Sequence, residues 1–386
     1  MSMAIQAFTA LLTLAGIAYM LLALWGARDF ARCTQRGRTQ DVQFAPAVSV
    51  LKPLKGVDPR MAAGLVSHCE QQYDGAYEII FGVSAPEDPA VAEVKRLQLA
   101  FPVAAIKLVH CPERLGTSGK VSNLVQMLPH ASYEFVIIND SDIQVGPHYL
   151  RGVMQPFADA IVGMVTAPYL GRTGAASTMW GKLEALGVST DFMPGVLTAR
   201  KLEGGIRFGL GSTLALRRTA LDRAGGLNPL IDFLADDYEL GRRITHSGFT
   251  VTLAGEVVET SVPAYNLRGF WDHQMRWARS TRDSRRLGYV GLGLTYCVPW
   301  ALATVTASGA ALWSFTLLSF ALLARVAVAL VVGVGILRDE QVLRDLWLLP
   351  ARDLFGLVFW AWSYAGDTVV WRGETFRLKR GRIAKA

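Results

Sequence analysis

Two stretches of this chain stay apolar for longer than the interior of a soluble domain needs, and they bracket a long polar region. Ile5–Trp25 supplies the ~20 consecutive apolar residues that cross a bilayer. Gly288–Leu337 is apolar again, with Arg325 as its one charge. At ~1.5 Å rise per residue this stretch is too long for one crossing and suits a helical hairpin. Its arms are expected near Tyr289–Ala307 and Leu312–Gly335, with a turn around Thr306–Gly309. Composition agrees: 51% of the 386 residues are hydrophobic, only 18% are charged, and the mean hydropathy is +0.28. These values point to a membrane protein with a sizeable soluble part.

The first apolar stretch lacks a charged leader and a small-residue cleavage site, which predicts an anchor rather than a signal peptide. Arg28, Arg32, Arg36 and Arg38 follow it, so the positive-inside rule places the next region in the cytoplasm. The expected organisation is an anchor over 1–27, a cytoplasmic domain over 28–287, a membrane hairpin over 288–337 and a final segment over 338–386. Within the last, Leu346–Gly366 is apolar but broken by Pro350-Ala351-Arg352-Asp353. A fourth span would leave the basic tail Arg372–Lys385 outside; a re-entrant or interfacial helix keeps it inside. The net charge of +7 suits nucleic acid, an anionic membrane or a phosphorylated substrate, and the apolar stretches favour the last two. Cys33, Cys69, Cys111 and Cys297 show no metal spacing and are expected to be reduced thiols.

The polar region alternates short β-rich runs with helical spacing. Val48–Leu51, Tyr77–Val83, Ala105–His110 and Phe135–Ile138 are expected strands, and Pro59–Gln72, Pro89–Phe101 and Val121–Leu128 are expected helices between them. Val91, Val94, Leu97 and Leu99 give the second helix its apolar face. This order predicts an α/β fold with a doubly wound, mostly parallel sheet. Ligands of such sheets bind beyond the carboxyl ends of the strands.

Asp140-Ser141-Asp142 stands at one such end, directly after "FVII" and Asn139. Two carboxylates two residues apart repel and resist desolvation, so a cation is expected between them. Alternation along an extended segment would point both the same way. Their hard oxygens suit Mg²⁺ or Mn²⁺ bridging a diphosphate, and the plain alternative is a solvated Asx turn. Asp236 and Asp237 open an expected helix, either as favourable charges at its N-terminus or as a binding residue beside a general base of raised pKa. "HQMRW", His273–Trp277, is either a membrane-interface anchor or a set in which Arg276 neutralises a leaving phosphate and Trp277 walls an acceptor pocket. Lys120 and Asn123 begin a helix suited to an anion. Gly209-Leu210-Gly211 lacks dinucleotide-site spacing and would instead let the backbone approach a ligand.

Taken together these stretches resemble the ceramide glucosyltransferases and their bacterial relatives, among them the hopanoid-biosynthesis-associated glycosyltransferases, over nearly the whole chain. The resemblance is carried by "SVLKPLKGVDP", "EDPAV", "GKVSNL", "NDSDIQV", "ADDY", "HQMRW" and "WRGETFRL", with His273 standing where glutamine or arginine is usual. It implies a GT-A type, Rossmann-like domain flanked by transmembrane helices in a bacterial inner membrane. It implies inverting transfer of a hexose, glucose or N-acetylglucosamine, from a UDP-sugar to the hydroxyl of a membrane lipid, ceramide or hopanoid, with Mg²⁺ or Mn²⁺ and no nucleic-acid partner. Residue by residue it implies Asp237, Arg276 and Trp277 in catalysis. Lys52, Asp88, Lys120, Asn123, Asp140, Gly211, Asp236 and His273 are implied at the nucleotide-sugar, and Asp140 and Asp142 at the metal. A processive polysaccharide synthase, a nucleotide-sugar sensor and a transporter are the other classes such motifs and segments admit.

Overall fold

The computed structural model describes residues 3–38, 44–58, 60–371 and 373–385, without the side chains of residues 36–38. Pro59 and Arg372, and the side chains of Arg36 and Arg38, lie outside the described set. The chain opens with α1 (Met3–Arg38), followed by β1 (Val48–Pro53), α2 (Met61–Cys69), β2 (Tyr77–Val83), α3 (Ala90–Ala100), β3 (Ala105–His110), α4 (Gly119–Met127) and β4 (Phe135–Ile138). The expected alternation is present. On α3, however, Ala90, Val94 and Leu97 are buried while Leu99 is 82% exposed, because it lies off the stripe that meets the sheet.

The chain continues through β5 (Ile143–Gln144), α5 (Tyr149–Met154), β6 (Val162–Thr166), β7 (Tyr169–Thr173), α6 (Met179–Gly187), α7 (Met193–Leu202), β8 (Leu214–Arg217), α8 (Arg218–Arg223), α9 (Asp236–His246), β9 (Thr250–Leu253) and β10 (Val258–Val262). A π-helical turn, Val188–Phe192, joins α6 to α7. The main sheet runs β3-β2-β1-β4-β8-β6-β9. Strands β3, β2, β1 and β4 are mutually parallel, as are β6 and β9, and β8 is antiparallel to both its neighbours. Strands β1 and β4 are buried on both faces, which explains why they read as continuous apolar runs rather than alternating ones. A second sheet, β5-β10-β7, stands beside the tips of β1 and β4.

The remaining elements are α10 (Leu267–Ser284), α11 (Arg286–Leu292), α12 (Cys297–Ala307), α13 (Leu312–Val328), α14 (Gln341–Asp345), α15 (Leu349–Trp362) and the strands β11 (Thr368–Trp371), β12 (Glu374–Lys379) and β13 (Arg382–Lys385). Two helical stretches are long and apolar enough to cross a membrane, Met3–Gln35 and Leu312–Ile336. The expected first arm of the hairpin is broken: α11 and α12 meet at 48°. Pro299 on the first turn of α12 cannot donate to Thr295 and clashes with its carbonyl, so the helix cannot run on from α11. At ~1.5 Å per residue α15 reaches about 21 Å, short of the ~30 Å hydrocarbon core. The charges that interrupt this stretch are paired inside the bundle: Asp353 with the Arg325 guanidinium at 2.8 Å, and Arg352 with Asp191 at 3.2 Å.

The cores do not separate sheet from membrane helices. Met20, Ala23, Ala27 and Phe30 of α1 and Cys297, Ala301, Ala321 and Val328 of α12 and α13 belong to the same buried cluster as Val50, Ile80 and Ile137 of the sheet. Asp29 on α1 pairs with Arg200 at 2.8 Å and Lys201 at 2.7 Å on α7. All four cysteines are free thiols.

Candidate active site

Strand β4 ends in a fully buried Asn139, whose amide donates to Tyr149 Oη at 2.9 Å and to the Ser212 carbonyl at 2.8 Å. These bonds fix the strand tip against the loop before β8. Asp140 and Asp142 then lie on a turn closed by the Ile143 amide on the Asp140 carbonyl, so the extended segment expected here is absent. Two lysines bring positive charge to this turn. Lys120 Nζ lies 2.8 Å from Asp140 Oδ1 and 3.3 Å from Asp236 Oδ2, joining the strand tip to the start of α9. Burial works against this ammonium, but Asp140 and Asp236 outweigh it and raise its pKa above the ordinary lysine value. Lys52, fully buried, donates to the Asp140 carbonyl at 2.9 Å from beneath. Burial pulls its pKa down to about 7 against the pull of Asp142 and Asp140. Lys52 therefore holds the turn through its backbone carbonyls.

Asp142 accepts from Thr260 Oγ1 on β10 at 2.5 Å; burial and the neighbouring Asp140 raise its pKa, with Thr260 and Lys52 opposing. Asp236 and Asp237 form the first turn of α9. Asp237 takes the amide of Tyr238 at 2.7 Å. Burial, then the adjacent Asp236, push its carboxyl up to about 7, with Lys120 opposing. Gly211 shows how close these groups lie. A Cβ there would stand 3.3 Å from Asp237 Oδ2 and 3.4 Å from Asp140 Oδ2, so the glycine leaves both carboxylates facing one open point.

The other side of the cleft comes from α6 and α10. Glu184, on α6, is buried; it accepts from the Gln274 amide at 2.7 Å and lies 2.9 Å from His273 Nδ1, close enough for an ion pair but without hydrogen-bond alignment. Burial pushes this carboxyl up, but His273 and Gln274 hold it below the usual range. His273 stacks on Tyr265 with ring centroids 5.4 Å apart and leans on Trp277 at 5.3 Å. Its partners are thus Glu184 and two rings. Tyr265 feels Glu184, Arg276 and Asp142, and Tyr169 feels Asp237, Glu184, Asp140 and Asp142. These two tyrosines place the DxD turn and the α9 aspartates near α6 and α10. Trp277 also touches Phe192 at 5.6 Å, at the end of the π-helical turn.

Two further expected contact residues hold loops. Asp88 accepts from the amides of Gly56, at 3.0 and 3.1 Å, and Ala90, at 2.9 Å, tying the loop after β1 to the start of α3. Asn123 is buried and accepts from Ser84 Oγ at 2.9 Å, which pins the loop after β2. Both bonds fix loops that follow the C-terminal ends of β1 and β2. The sequence reading missed Glu184 and Thr260. Glu184 left a signal, a lone acid inside the apolar helix "MWGKLEALG"; Thr260 left none.

Among the described residues no three or more His, Cys, Asp or Glu side chains gather to hold a metal. Asp140 and Asp142 are both half-buried, and the Asp140 side chain is 37% exposed. Two half-buried carboxylates fit a hard divalent ion that takes most of its ligands from phosphate and water, and do not form a protein cage.

A mostly parallel α/β sheet with a DxD turn at its tip, facing a helix opened by two aspartates, defines the glycosyltransferase class. The chain belongs to glycosyl transferase family 21, whose model matches residues 8–384. It is similar to ceramide glucosyltransferase 3 of Caenorhabditis elegans, 22% identical over 275 residues, which is 66% of this chain and 54% of that protein. Ceramide glucosyltransferase 1 of the same organism is 24% identical over 237 residues, 61% of this chain and 49% of that one. The chain thus spans about half the length of these curated relatives. Among solved structures it resembles a mannosyltransferase from Pyrobaculum calidifontis in complex with GDP-Man and Mn²⁺, with a TM-score of 0.45 and 21% identity over 91% of this chain and 99% of that one.

Proposed function

We propose that this protein moves a hexose from a UDP-sugar to the hydroxyl of a membrane lipid, with a ceramide-type acceptor favoured and inversion at the anomeric carbon. The observation that carries the reading is the convergence of Asp140 and Asp237 on the open point at Gly211, beside helices apolar enough to cross a membrane. The names of the two nematode relatives support glucose and ceramide. A re-entrant α15 and a cytoplasmic cleft complete the picture, with the acceptor entering from the bilayer along α10.

In this mechanism the lipid hydroxyl oxygen attacks the anomeric carbon as its bond to the diphosphate oxygen breaks, and UDP leaves with the bonding pair. Asp237 takes the hydroxyl proton, and a pKa of about 7 suits a base that must be partly ionised at neutral pH. Lys120 holds Asp140 and Asp236 and lends positive charge to the diphosphate, and Arg276 neutralises the leaving phosphate. Asp140 and Asp142 would hold Mg²⁺ or Mn²⁺, which would supply further charge neutralisation of the leaving group. Trp277 walls the acceptor side, and Glu184 orients His273 there. Asp88 and Asn123 shape the pocket for the nucleoside.

The test is incubation of the purified full chain in lipid nanodiscs with UDP-glucose or UDP-N-acetylglucosamine and either ceramide or a hopanoid, followed by product mass and anomeric configuration. A single hexose of inverted configuration on ceramide is the expected product. Transfer only to the hopanoid would move the acceptor, a mass ladder would make the protein a polymerase, and binding without transfer would make it a sensor.

A further inference from the structure

The C-terminal strands, read from sequence as a basic tail, form an antiparallel sheet β11-β12-β13. Its tip is the two-residue turn Arg380-Gly381, both at positive φ (51° and 79°), between the paired residues Lys379 and Arg382. This is the turn geometry that matches hairpin twist, and glycine adopts it without strain. The sheet's own core is small: Val369, Phe376, Leu378 and Ile383 are buried, and the residue that joins them from outside is Leu234.

Leu234 lies two residues before Asp236. Its amide donates to the Gly381 carbonyl at 3.0 Å, and the Ile383 amide donates to the Asp232 carbonyl at 2.8 Å. Phe233 bridges to Arg382, so residues 232–234 run beside β13 almost as a further strand. The same segment is held from the opposite side. The Thr117 amide donates to Asp232 Oδ1 at 2.9 Å, and the Ser118 amide to the Ile231 carbonyl at 2.7 Å. Ser118 caps α4, the helix that carries Lys120. The loop ahead of the aspartate pair is therefore clamped between the start of the lysine helix and the C-terminal hairpin.

The hairpin is also fastened to α10, the helix of His273, Arg276 and Trp277. The Gly381 amide donates to Asp283 Oδ2, Arg279 donates to the Thr368 carbonyl, and Arg282 pairs with Asp367 at 2.8 Å. Between the hairpin tip and the first turns of α9 lies a cavity of about 270 Å³, lined by Phe233, Tyr238, Glu239, Asp283 and Gly381 among others. Side-chain packing does not fill that gap. One link from α10 to the aspartate pair passes through the bonds at Gly381 and the side chain of Leu234; another runs from Arg285 at the end of α10 over the Phe208 ring, which stacks on Tyr238.

We propose that the C-terminal sheet is a brace that sets the position of Asp236 and Asp237 relative to Arg276, with Asp283 and Leu234 as its positioning residues. Neither side chain touches the carboxylates; each acts through the hairpin. The inference rests on the sugar-transfer reading for its activity arm.

Asp283→Ala removes the acceptor for the Gly381 amide, whereas Asp283→Asn keeps an oxygen there. Leu234→Ala empties the hairpin core, whereas Leu234→Met nearly conserves its volume. Displacement of a catalytic group by ~1 Å costs up to ~10²-fold, so both alanine variants are expected to lose about 10- to 100-fold in kcat with an unchanged KM for the donor. The asparagine and methionine variants are expected to recover most of that loss. Amide hydrogen exchange at Phe233 and Leu234 is expected to quicken in Asp283→Ala. Wild-type kcat and exchange in both alanine variants would overturn the brace. So would losses that the conservative variants fail to restore, or a KM that rises as kcat falls. A wild-type chain that transfers no sugar would refute the transferase reading instead, and the exchange measurement would still decide the brace.

Discussion

The raised pKa of Asp237 makes the pH dependence of this protein a direct test of its site. Burial and Asp236 push that carboxyl to about 7, against the usual aspartate value of 3.8. As a base it works only when deprotonated, so activity must rise with pH through the same value. For one group of pKa about 7, about one-tenth is ionised at pH 6 and about nine-tenths at pH 8, so kcat/KM should rise about tenfold between them. The quantity to plot is kcat/KM, because it reports the free protein. Asp236→Asn then removes the second-largest cause of the shift. Two charges ~6 Å apart at an effective dielectric near 20 interact by about 3 kcal/mol, or about 2 pKa units, as an upper figure. The rise in kcat/KM should therefore move towards acid by as much as about 2 units, even if the maximum falls through a weakened hold on the donor. Initial rates over pH 5–9 with mass-resolved product would measure both curves. A flat wild-type profile, or a midpoint that moves towards alkali in Asp236→Asn, refutes Asp237 as the base.

The same carboxyl links to stability with a definite sign. Because its folded pKa lies above the unfolded one, the native state holds a proton that the unfolded chain has released. Stability should therefore fall as pH rises from about 4 to about 7, and Asp237→Asn should unfold at a higher temperature than wild type at pH 7.5. That variant should keep donor binding by calorimetry while losing roughly 10²–10⁴-fold in turnover. Gly211→Ala puts a methyl 3.3 to 3.4 Å from both carboxylates and is expected to lower donor affinity with little change in thermal midpoint, read by donor titration and a melt. Asp353→Ala leaves the buried Arg325 guanidinium without its carboxylate and should cost about 3–5 kcal/mol, whereas the paired change Arg325→Met with Asp353→Leu should cost far less in the same detergent melts.

The sheet, and the strand tip where the candidate site was placed, were legible because both rest on short-range rules. Four apolar residues at Phe135–Ile138 demand burial, and carboxylates that follow them must sit at a strand tip. Ser118 caps α4 through its hydroxyl on the Val121 amide, as a serine ahead of a helical stretch does. Long-range pairing was not legible. Nothing near Lys52 in sequence says that its ammonium lies under Asp140, 88 positions away. Glu184 meets His273 only because α6 and α10 pack together. The bend between α11 and α12 had its signal in Pro299, and the hairpin had its own in the alternation of Phe376 and Leu378 before Arg380-Gly381. Hydropathy over long windows hid the first, and net basic charge hid the second.

The shared interior of α1, α12, α13 and the sheet means that these apolar helices and the sheet are expected to unfold together. A fragment cut at the bilayer boundary would expose the faces of Met20, Ala23, Ala27 and Phe30 that now meet their partners, so solubilising the chamber by trimming its anchor is self-defeating. Asp29 ties α1 to Arg200 and Lys201 of α7, so a tilt of α1 would be carried into the helices behind the sheet.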